Sequence, residues 1–207
     1  MTLYSYVVAR DYGFAPNPFL GFCTLATCKP GIRKGAKVGD WIVGIGSKQY
    51  GLEGRLVYAM QVTETCSFDE YWRDPRFRQK RPNLRGSLKQ AFGDNIYHRD
   101  ADTGRWIQEA SHHSFPNGRA NPANVRHDTQ APRVLVSTDF VYWGGDGPVI
   151  PARFRRAHGE NVCCQRGYKC DFSEVFVTSF VQWIRLQGTW GYAGRPREFA
   201  RAGLRFL

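Results

Sequence analysis

The stretch from Arg10 to Ser47 constrains the fold more than any other part of this chain. It reads RDYGFAPNPFLGFCTLATCKPGIRKGAKVGDWIVGIGS, with prolines on both sides of Asn17 and a third proline at position 30. Proline and glycine at this density exclude a long helix here and favour turns between short strands. The same stretch begins with an Arg-Asp pair and holds two cysteines. It therefore predicts a shaped loop that borders a pocket.

Periodicity predicts several short strands, mostly early in the chain, with helices inserted between and after them. Alternating β-branched and aromatic residues indicate the strands, and Ser173 and Gly188 can begin and end the best helix. The predicted strands are 4–10, 41–47, 55–63 and 133–145 (one strand or a pair); residues 23–28 form a strand or a helical turn, 68–74, 86–93 and 173–187 hold helices, 95–114 a hairpin and 115–132 a loop. We expect an α+β fold, a small mixed β-barrel with helical insertions and a C-terminal helix.

The length of 207 residues fits one domain spanning 1–207. We divide it into a β-rich, pocket-forming part (1–70), a basic insertion (71–132) and a part that completes the domain with strand, loop and C-terminal helix (133–207). No apolar run approaches the roughly 18 residues of a membrane span, so we expect no membrane partner. The N-terminus lacks the basic start of a signal peptide. We therefore expect a cytoplasmic location and six reduced cysteines.

The positive charge of the chain is large and unevenly placed. The formal net charge is +11, and residues 71–133 alone carry 12 basic and 6 acidic side chains. Arginine outnumbers lysine 22 to 7, and its planar fork suits contacts with phosphates and base edges. Solubility alone is the simpler explanation for such a charge, but a field of this size favours a nucleic-acid partner.

Three motifs in the N-terminal part point to a family. They are R-D-x-G-F-A-P-N-P-F, C-T-L-A-T-C-K-P-x-I-R and G-D-W-I-x-G-x-G-S, and with the later pieces DNIYH (94–98), SHHS (111–114) and VLVSTDFVYWGG (134–145) they cover nearly the whole chain. Together they resemble the second type of the nucleotide modification associated domain. The resemblance implies a context of DNA base hypermodification in bacteria or phage-infected host cells, and DNA with modified bases as the partner.

A shorter resemblance concerns the fold. The order GDWIVGIGSK, LVYAMQVTE and DPRF is similar to the modified-base-binding barrels of the PUA, ASCH and EVE kind. In those barrels a Gly-Asp turn leads into a strand that lines the pocket. This resemblance implies a PUA/EVE-like barrel that holds a flipped or modified base.

Candidate base-binding residues lie where predicted strands meet loops. Asparagine and aspartate can read base edges with fixed donors and acceptors, aromatic rings can stack on a base, and small residues let a planar ligand approach a strand. Turn formation and core packing are the alternatives for the same residues. The candidates are Asp11, Asn17, Phe19, Gly46, Ser47 and Tyr142.

Candidate catalytic and phosphate-binding residues form two further sets. Cys28 precedes Lys29, and a neighbouring cation favours a reactive thiolate; a small buried thiol is the alternative. His113 can act as acid or base, and Asp139 follows a strand. The catalytic set, relevant if the protein is an enzyme, is Cys28, His113 and Asp139, and the phosphate-binding set is Arg10, Lys29, Arg33, Arg81 and Arg85.

The cysteine spacing does not match the usual paired motif of structural zinc sites, so we predict no metal. The chain also lacks a Walker loop and a dinucleotide fingerprint. The sequence predicts neither a particular cofactor nor an oligomeric state. Our first hypothesis is a protein that recognises a modified or flipped base in DNA. The alternatives are an enzyme of nucleotide modification or base removal that uses the same pocket, and an RNA-binding module.

Overall fold

The computed structural model describes residues 1–155, 159–164 and 166–202. Short strands alternate with short helices, as expected from the density of proline and glycine. The strands are β1 (Leu3–Val8), β2 (Cys23–Leu25), β3 (Trp41–Gly46), β4 (Leu56–Gln61), β5 (Glu64–Ser67), β6 (Tyr97–Arg99), β7 (Trp106–Gln108), β8 (Arg133–Ser137), β9 (Asp139–Tyr142) and β10 (Gly191–Tyr192). The helices are α1 (Pro30–Gly35), α2 (Phe68–Arg73), α3 (Leu88–Ala91), α4 (Pro122–Asp128), α5 (Glu174–Arg185) and α6 (Phe199–Ala202), with 3₁₀ turns at Lys48–Tyr50, Pro75–Lys80, Gly144–Asp146 and Ala152–Phe154.

The strands form a mixed five-stranded sheet, an antiparallel three-stranded sheet and a two-stranded hairpin. The order of the first is β1-β3-β4-β9-β10, with β1 parallel to β3 and β9 parallel to β10. The second has the order β2-β8-β5, and β6 pairs with β7. This is the predicted α+β class. The predicted barrel is not confirmed, because none of the three sheets in the described ranges closes on itself.

Side-chain alternation along the strands builds the layers. Trp41, Val43 and Ile45 of β3 pack against the apolar face of α5. The opposite face of the same sheet, with Tyr6 and Ile42, packs against the three-stranded sheet. The far face of that second sheet packs against α2 and β6. Helix α2 and strand β6 thus form an outer layer.

The described residues contain no helix with the length and hydropathy of a membrane span.

One predicted segment differs from the structure and one open alternative is decided. Residues 133–145 form the strand pair and not the single strand, because β8 ends at Ser137 and β9 begins at Asp139 in the five-stranded sheet. Residues 115–132, predicted as a loop, contain α4. Asn121 caps this helix by accepting from Ala123 N at 3.1 Å, and a proline occupies its first turn. Only one residue of α4 is fully buried, so the helix has no apolar periodicity to reveal it.

Candidate active site

A cavity of about 670 Å³ opens beside the end of β1, a volume typical of small-molecule sites. Four aromatic rings and three histidines line much of it. The lining residues come from the end of β1 and the loop after it, from the start of α1, from the segment after β7 and from a late loop: Tyr6, Val7, Val8, Ala9, Arg10, Tyr12, Phe14, Ala15, Cys28, Lys29, Pro30, Gly31, His112, His113, His127, Gly167 and Tyr168. None of these described lining residues is acidic, so the cavity favours a negatively charged or planar ligand.

Cys28 and Lys29 line this cavity and have an unusual backbone conformation. Their φ angles are 57° and 40°, so two consecutive residues with side chains adopt the left-handed conformation. This conformation is unfavourable for residues other than glycine and clusters at functional sites. Pro30 then begins α1 and fixes the direction of the chain. The strained turn places a thiol and an ammonium side by side in the cavity wall.

A buried arginine holds the strained turn in place. Arg33 has no exposed surface, and its Nε donates to the carbonyl oxygen of Cys28 at 2.8 Å. Its two terminal nitrogens donate to the carbonyls of Asp128 (2.5 Å), Arg133 (2.8 Å) and Ala131. One guanidinium therefore links the turn at Cys28 to the end of α4 and the start of β8.

Cys28, His113 and Asp128 form a hydrogen-bonded chain. The sulfur of Cys28 lies 3.6 Å from Nε2 of His113, and Nδ1 of His113 lies 2.8 Å from Oδ2 of Asp128. The thiol and the imidazole are partly exposed, whereas Asp128 is fully buried. Covalent catalysis by cysteine uses this order of groups: a nucleophile, a base, and a third group that orients the base.

Further contacts fix the aspartate and the imidazole. Oδ1 of Asp128 accepts from Cys28 N at 2.8 Å, and its Oδ2 also accepts from the hydroxyl of Tyr97 at 2.9 Å. Asn124 Nδ2 donates to the carbonyl of His113 at 2.7 Å. Burial disfavours the charged carboxylate, but the bonds from His113 and Tyr97 outweigh it and lower the pKa of Asp128. Asp128 is therefore an anion that binds the turn, the tyrosine and the histidine together.

The protonation of His113 follows from the same contacts. Burial alone would lower the pKa of this imidazole, but its hydrogen bonds to Asp128 and Cys28 outweigh burial and raise the pKa to about 9. At neutral pH the ring is consequently an imidazolium. Such a cation beside a sulfur stabilises the negatively charged thiolate.

This raised pKa predicts a pH-dependent stability. Because the pKa of His113 rises from 6.5 to about 9 on folding, its contribution is complete below pH 6.5 and is lost as the pH rises through about 9. We expect the free energy of unfolding to fall between pH 6 and pH 10 by about 3 kcal/mol more in the wild type than in His113→Asn. Urea titrations of both proteins at the two pH values measure this difference.

The comparison of the two proteins also removes an opposing effect. Burial lowers the pKa of Lys80 to about 8, so the contribution of that lysine rises with pH. Lys80 is present in both proteins and cancels in the difference. Equal slopes in the wild type and the variant would contradict the charged state assigned to His113.

The three side chains are also of metal-ligating types, and their ligand atoms lie within 4.8 Å of one another. However, His113 directs Nε2 towards the sulfur and Nδ1 towards the carboxylate. The two ring nitrogens point in different directions, so one ion cannot bind the sulfur, the near nitrogen and the hydrogen-bonded carboxylate oxygen with this geometry. The arrangement fits a nucleophile, its proton donor and a positioning carboxylate.

Of the three predicted catalytic residues, the structure brings Cys28 and His113 together and places Asp139 elsewhere. Asp139 accepts from Arg185 at 2.7 Å and from the indole nitrogen of Trp190 at 2.6 Å, on the other side of the five-stranded sheet. Sequence reasoning missed Asp128 because it lies in the segment interpreted as a loop. The Asn-Pro pair that begins α4 is the signal that could have revealed the helix that ends with Asp128.

Four of the predicted base-binding residues, Asp11, Asn17, Phe19 and Tyr142, are buried outside this cavity. Asp11 accepts from the hydroxyl of Tyr142 and from Arg197 N (3.0 Å), and burial raises its pKa. Asn17 accepts from Nζ of the buried Lys80 at 2.6 Å. Phe19 packs against Tyr192 with ring centroids 5.5 Å apart.

Gly46 and Ser47 border a separate cavity of about 590 Å³ that Cys28 does not line. A Cβ atom on Gly46 would lie 2.4 Å from the carbonyl oxygen of Leu52. The sequence predicts that another group approaches Gly46 closely, and in the structure this group is the backbone of Leu52 and not a ligand. Ser47 accepts from Gln49 N at 3.2 Å and caps a 3₁₀ turn.

Two of the predicted phosphate-binding residues, Arg10 and Lys29, line the cavity. Nζ of Lys29 lies 4.7 Å from the centre of the Tyr6 ring, and burial lowers the pKa of this lysine. The guanidinium of Arg81 stacks on Trp72 at 3.6 Å. Arg33 is the buried anchor described above, and Arg85 is exposed outside the cavity.

Comparison with known families agrees with the motifs. The family model for nucleotide modification associated domain 2 matches residues 1–203 of the 207-residue chain. No curated protein and no solved structure matches the chain.

Proposed function

The chain belongs to the nucleotide modification associated domain 2 family, and from this premise we propose that it is a cysteine-dependent enzyme that acts on a modified base of a nucleotide. The observation that carries the proposal is the chain of hydrogen bonds from Cys28 through His113 to Asp128 at the wall of an aromatic cavity. A merely structural thiol needs neither a histidine at 3.6 Å nor a strained turn.

Cys28 is the nucleophile in this proposal. In the proposed step its sulfur attacks as a thiolate beside the imidazolium of His113 and forms a bond to a carbonyl-type carbon carried by the base. The leaving amine or alcohol departs with its bonding electrons and takes the proton from Nε2 of His113. Water then attacks the thioester, His113 accepts the proton of that water, and the sulfur leaves as a thiolate. The net reaction is hydrolysis, and an acceptor amine in place of water makes it a transfer.

The cavity walls supply recognition. Tyr12 and Tyr168 are the accessible rings of this wall, whereas Tyr6 and Phe14 are buried. Accessible aromatic rings bind any planar base by stacking. Lys29 and Arg10 provide positive charge at the same wall, where a phosphate or another anionic group is favoured. DNA that carries modified bases is the partner that fits the family and the charge.

A direct test combines product analysis with trapping of the covalent intermediate. Nucleotides and short DNA strands with acyl, ester or amide groups on the base are incubated with the protein, and both reactants are analysed by mass spectrometry. We expect conversion of one substrate class and an adduct at Cys28. The variant Cys28→Ala should show neither, with turnover at least 10⁴-fold lower. Cys66→Ala is the matched control, since burial raises the pKa of the Cys66 thiol to about 12.

The outcomes separate this enzyme from its rivals. Conversion at the wild-type rate by Cys28→Ala would exclude a thiol mechanism. Selective binding of a modified base without conversion by either protein would favour a base reader. Stronger competition by RNA than by DNA of the same sequence would favour an RNA-binding module, because the 2′-hydroxyl is the discriminating group.

A further inference from the structure

A smaller cavity adjoins the candidate active site. It has a volume of about 260 Å³ and shares Tyr12 and His112 with the larger cavity as a common wall. It lies between α3 and the segment after β7. Its lining residues are Tyr12, Leu84, Ala91, Phe92, Ser111, His112, Ser114, Phe115, Pro116 and Gly118. A ligand that fills the first cavity and extends past Tyr12 would enter the second.

The second cavity presents apolar surface in a fixed geometry. Phe115 is 45% exposed and Leu84 is 46% exposed, and both line the same cavity, so they form one accessible apolar surface. A tight turn holds Phe115: its N–H donates to the carbonyl of Arg119 at 2.9 Å, and Gly118 N donates back to Phe115 O at 2.8 Å. The ring is therefore presented on a rigid turn, as stacking platforms require.

The charge around the two cavities favours an anionic occupant. The described residues that line them include no aspartate or glutamate. Exposed arginines follow Leu84 and Gly118 directly in the chain, and a third lies on the wall of the first cavity: Arg85, Arg119 and Arg10. An apolar platform whose lining residues are followed directly in the chain by exposed arginines suits a base with its flanking phosphates. An apolar peptide would not need this charge.

We propose that the second cavity is a subsite for the nucleotide next to the one that reacts, with its base stacked on Phe115. The proposal rests on the proposed function for the identity of the first subsite and deepens it. The ligand is then a strand of at least two nucleotides and not a free mononucleotide. Arg119 and Arg85 hold the phosphates that follow.

The test measures binding as a function of strand length. Dissociation constants of pT, pTpT and pTpTpT are determined by calorimetry at two salt concentrations for the wild type, Phe115→Ala and Arg119→Gln. We expect pTpT to bind the wild type about tenfold more tightly than pT, and Phe115→Ala to lose this gain while its affinity for pT is unchanged. Arg119→Gln should weaken pTpT and reduce its salt dependence. Val175→Ala is the control, since Val175 is 78% exposed on α5, away from both cavities.

A second readout separates this inference from the proposed function. Protection of Cys28 from iodoacetamide by pT and by pTpT reports occupancy of the first cavity. Equal affinity of pT and pTpT, with equal protection of Cys28, would overturn the second subsite and leave the proposed function intact. A length-dependent gain that needs Phe115, together with full turnover by Cys28→Ala, would support the subsite and overturn the thiol mechanism.

Discussion

Asp128→Asn is expected to reduce turnover by about 10³- to 10⁴-fold, while the protein stays folded and still binds its substrate. The substitution keeps the size of the side chain and changes one oxygen to an NH₂ group. The effect follows from the direction of the hydrogen bonds around that group. Three donors surround the carboxylate: Cys28 N at 2.8 Å, the Tyr97 hydroxyl at 2.9 Å and Nδ1 of His113 at 2.8 Å.

The backbone N–H of Cys28 is a donor only, so it selects the orientation of the new amide. The remaining oxygen must face Cys28 N, and the NH₂ group then occupies the position of Oδ2 beside His113. His113 has to accept at Nδ1 from this amide, which leaves its single proton on Nε2. A neutral ring in this tautomer cannot take a further proton from Cys28 or from water. It also no longer provides the positive charge that stabilises the thiolate.

Asp139→Asn is the matched control for this prediction. Asp139 is the aspartate that the sequence predicts for catalysis, and it binds Arg185 and Trp190 away from the cavity. We expect its replacement to leave turnover unchanged. Alkylation of Cys28 by iodoacetamide at pH 7 gives a readout that needs no substrate, and it should slow only in Asp128→Asn. A loss of turnover in Asp139→Asn with full activity in Asp128→Asn would reverse the assignment.

Local patterns predicted the elements whose contacts are close in the chain. The β6–β7 hairpin and the capped helix α3 are confirmed, since Ser87 accepts from Gln90 N and the hairpin pairs Tyr97 with Gln108. For residues 133–145 the sequence left one strand or a pair open. The polar run Ser137-Thr138-Asp139 separates two apolar stretches, and their pairing with distant strands puts them into different sheets.

The candidate site was predictable in part, for a related physical reason. Cys28 and His113 have side chains whose chemistry is visible from residue type and neighbours. Asp128 gains its importance from a position 100 residues after Cys28, which no local pattern encodes. Asn17 shows the opposite case: its proline-flanked position indicates a ligand loop, yet the ammonium of Lys80, 63 residues later, reaches it at 2.6 Å and makes it part of the core.

Arg33→Met is expected to lower the free energy of unfolding by about 4 kcal/mol. The fully buried guanidinium donates to the carbonyls of Cys28, Asp128, Ala131 and Arg133. Methionine fills a similar volume without donors. The carbonyl of Ala131 keeps the N–H of Arg133 at 2.7 Å, and each buried carbonyl that is left unpaired costs about 1–3 kcal/mol, reduced where the chain relaxes. For a chain of this size, such a loss lowers the melting temperature by about 8–16 °C.

Calorimetry of Arg33→Met measures this loss, with Arg73→Met as the control. Because Arg73 is exposed on α2, its replacement should change the melting temperature by less than about 2 °C. Arg33→Lys should fall between them, because one ammonium cannot reach four carbonyls in two directions. The strained turn depends on the same bonds, so the folded fraction of Arg33→Met should also lose the selective alkylation of Cys28. If Arg33→Met has the melting temperature of the wild type, the turn at Cys28 is held by the Asp128 carboxylate alone. Stability and reactivity are thus predicted to fail together, because a single buried side chain fixes both the fold of this turn and the position of its thiol.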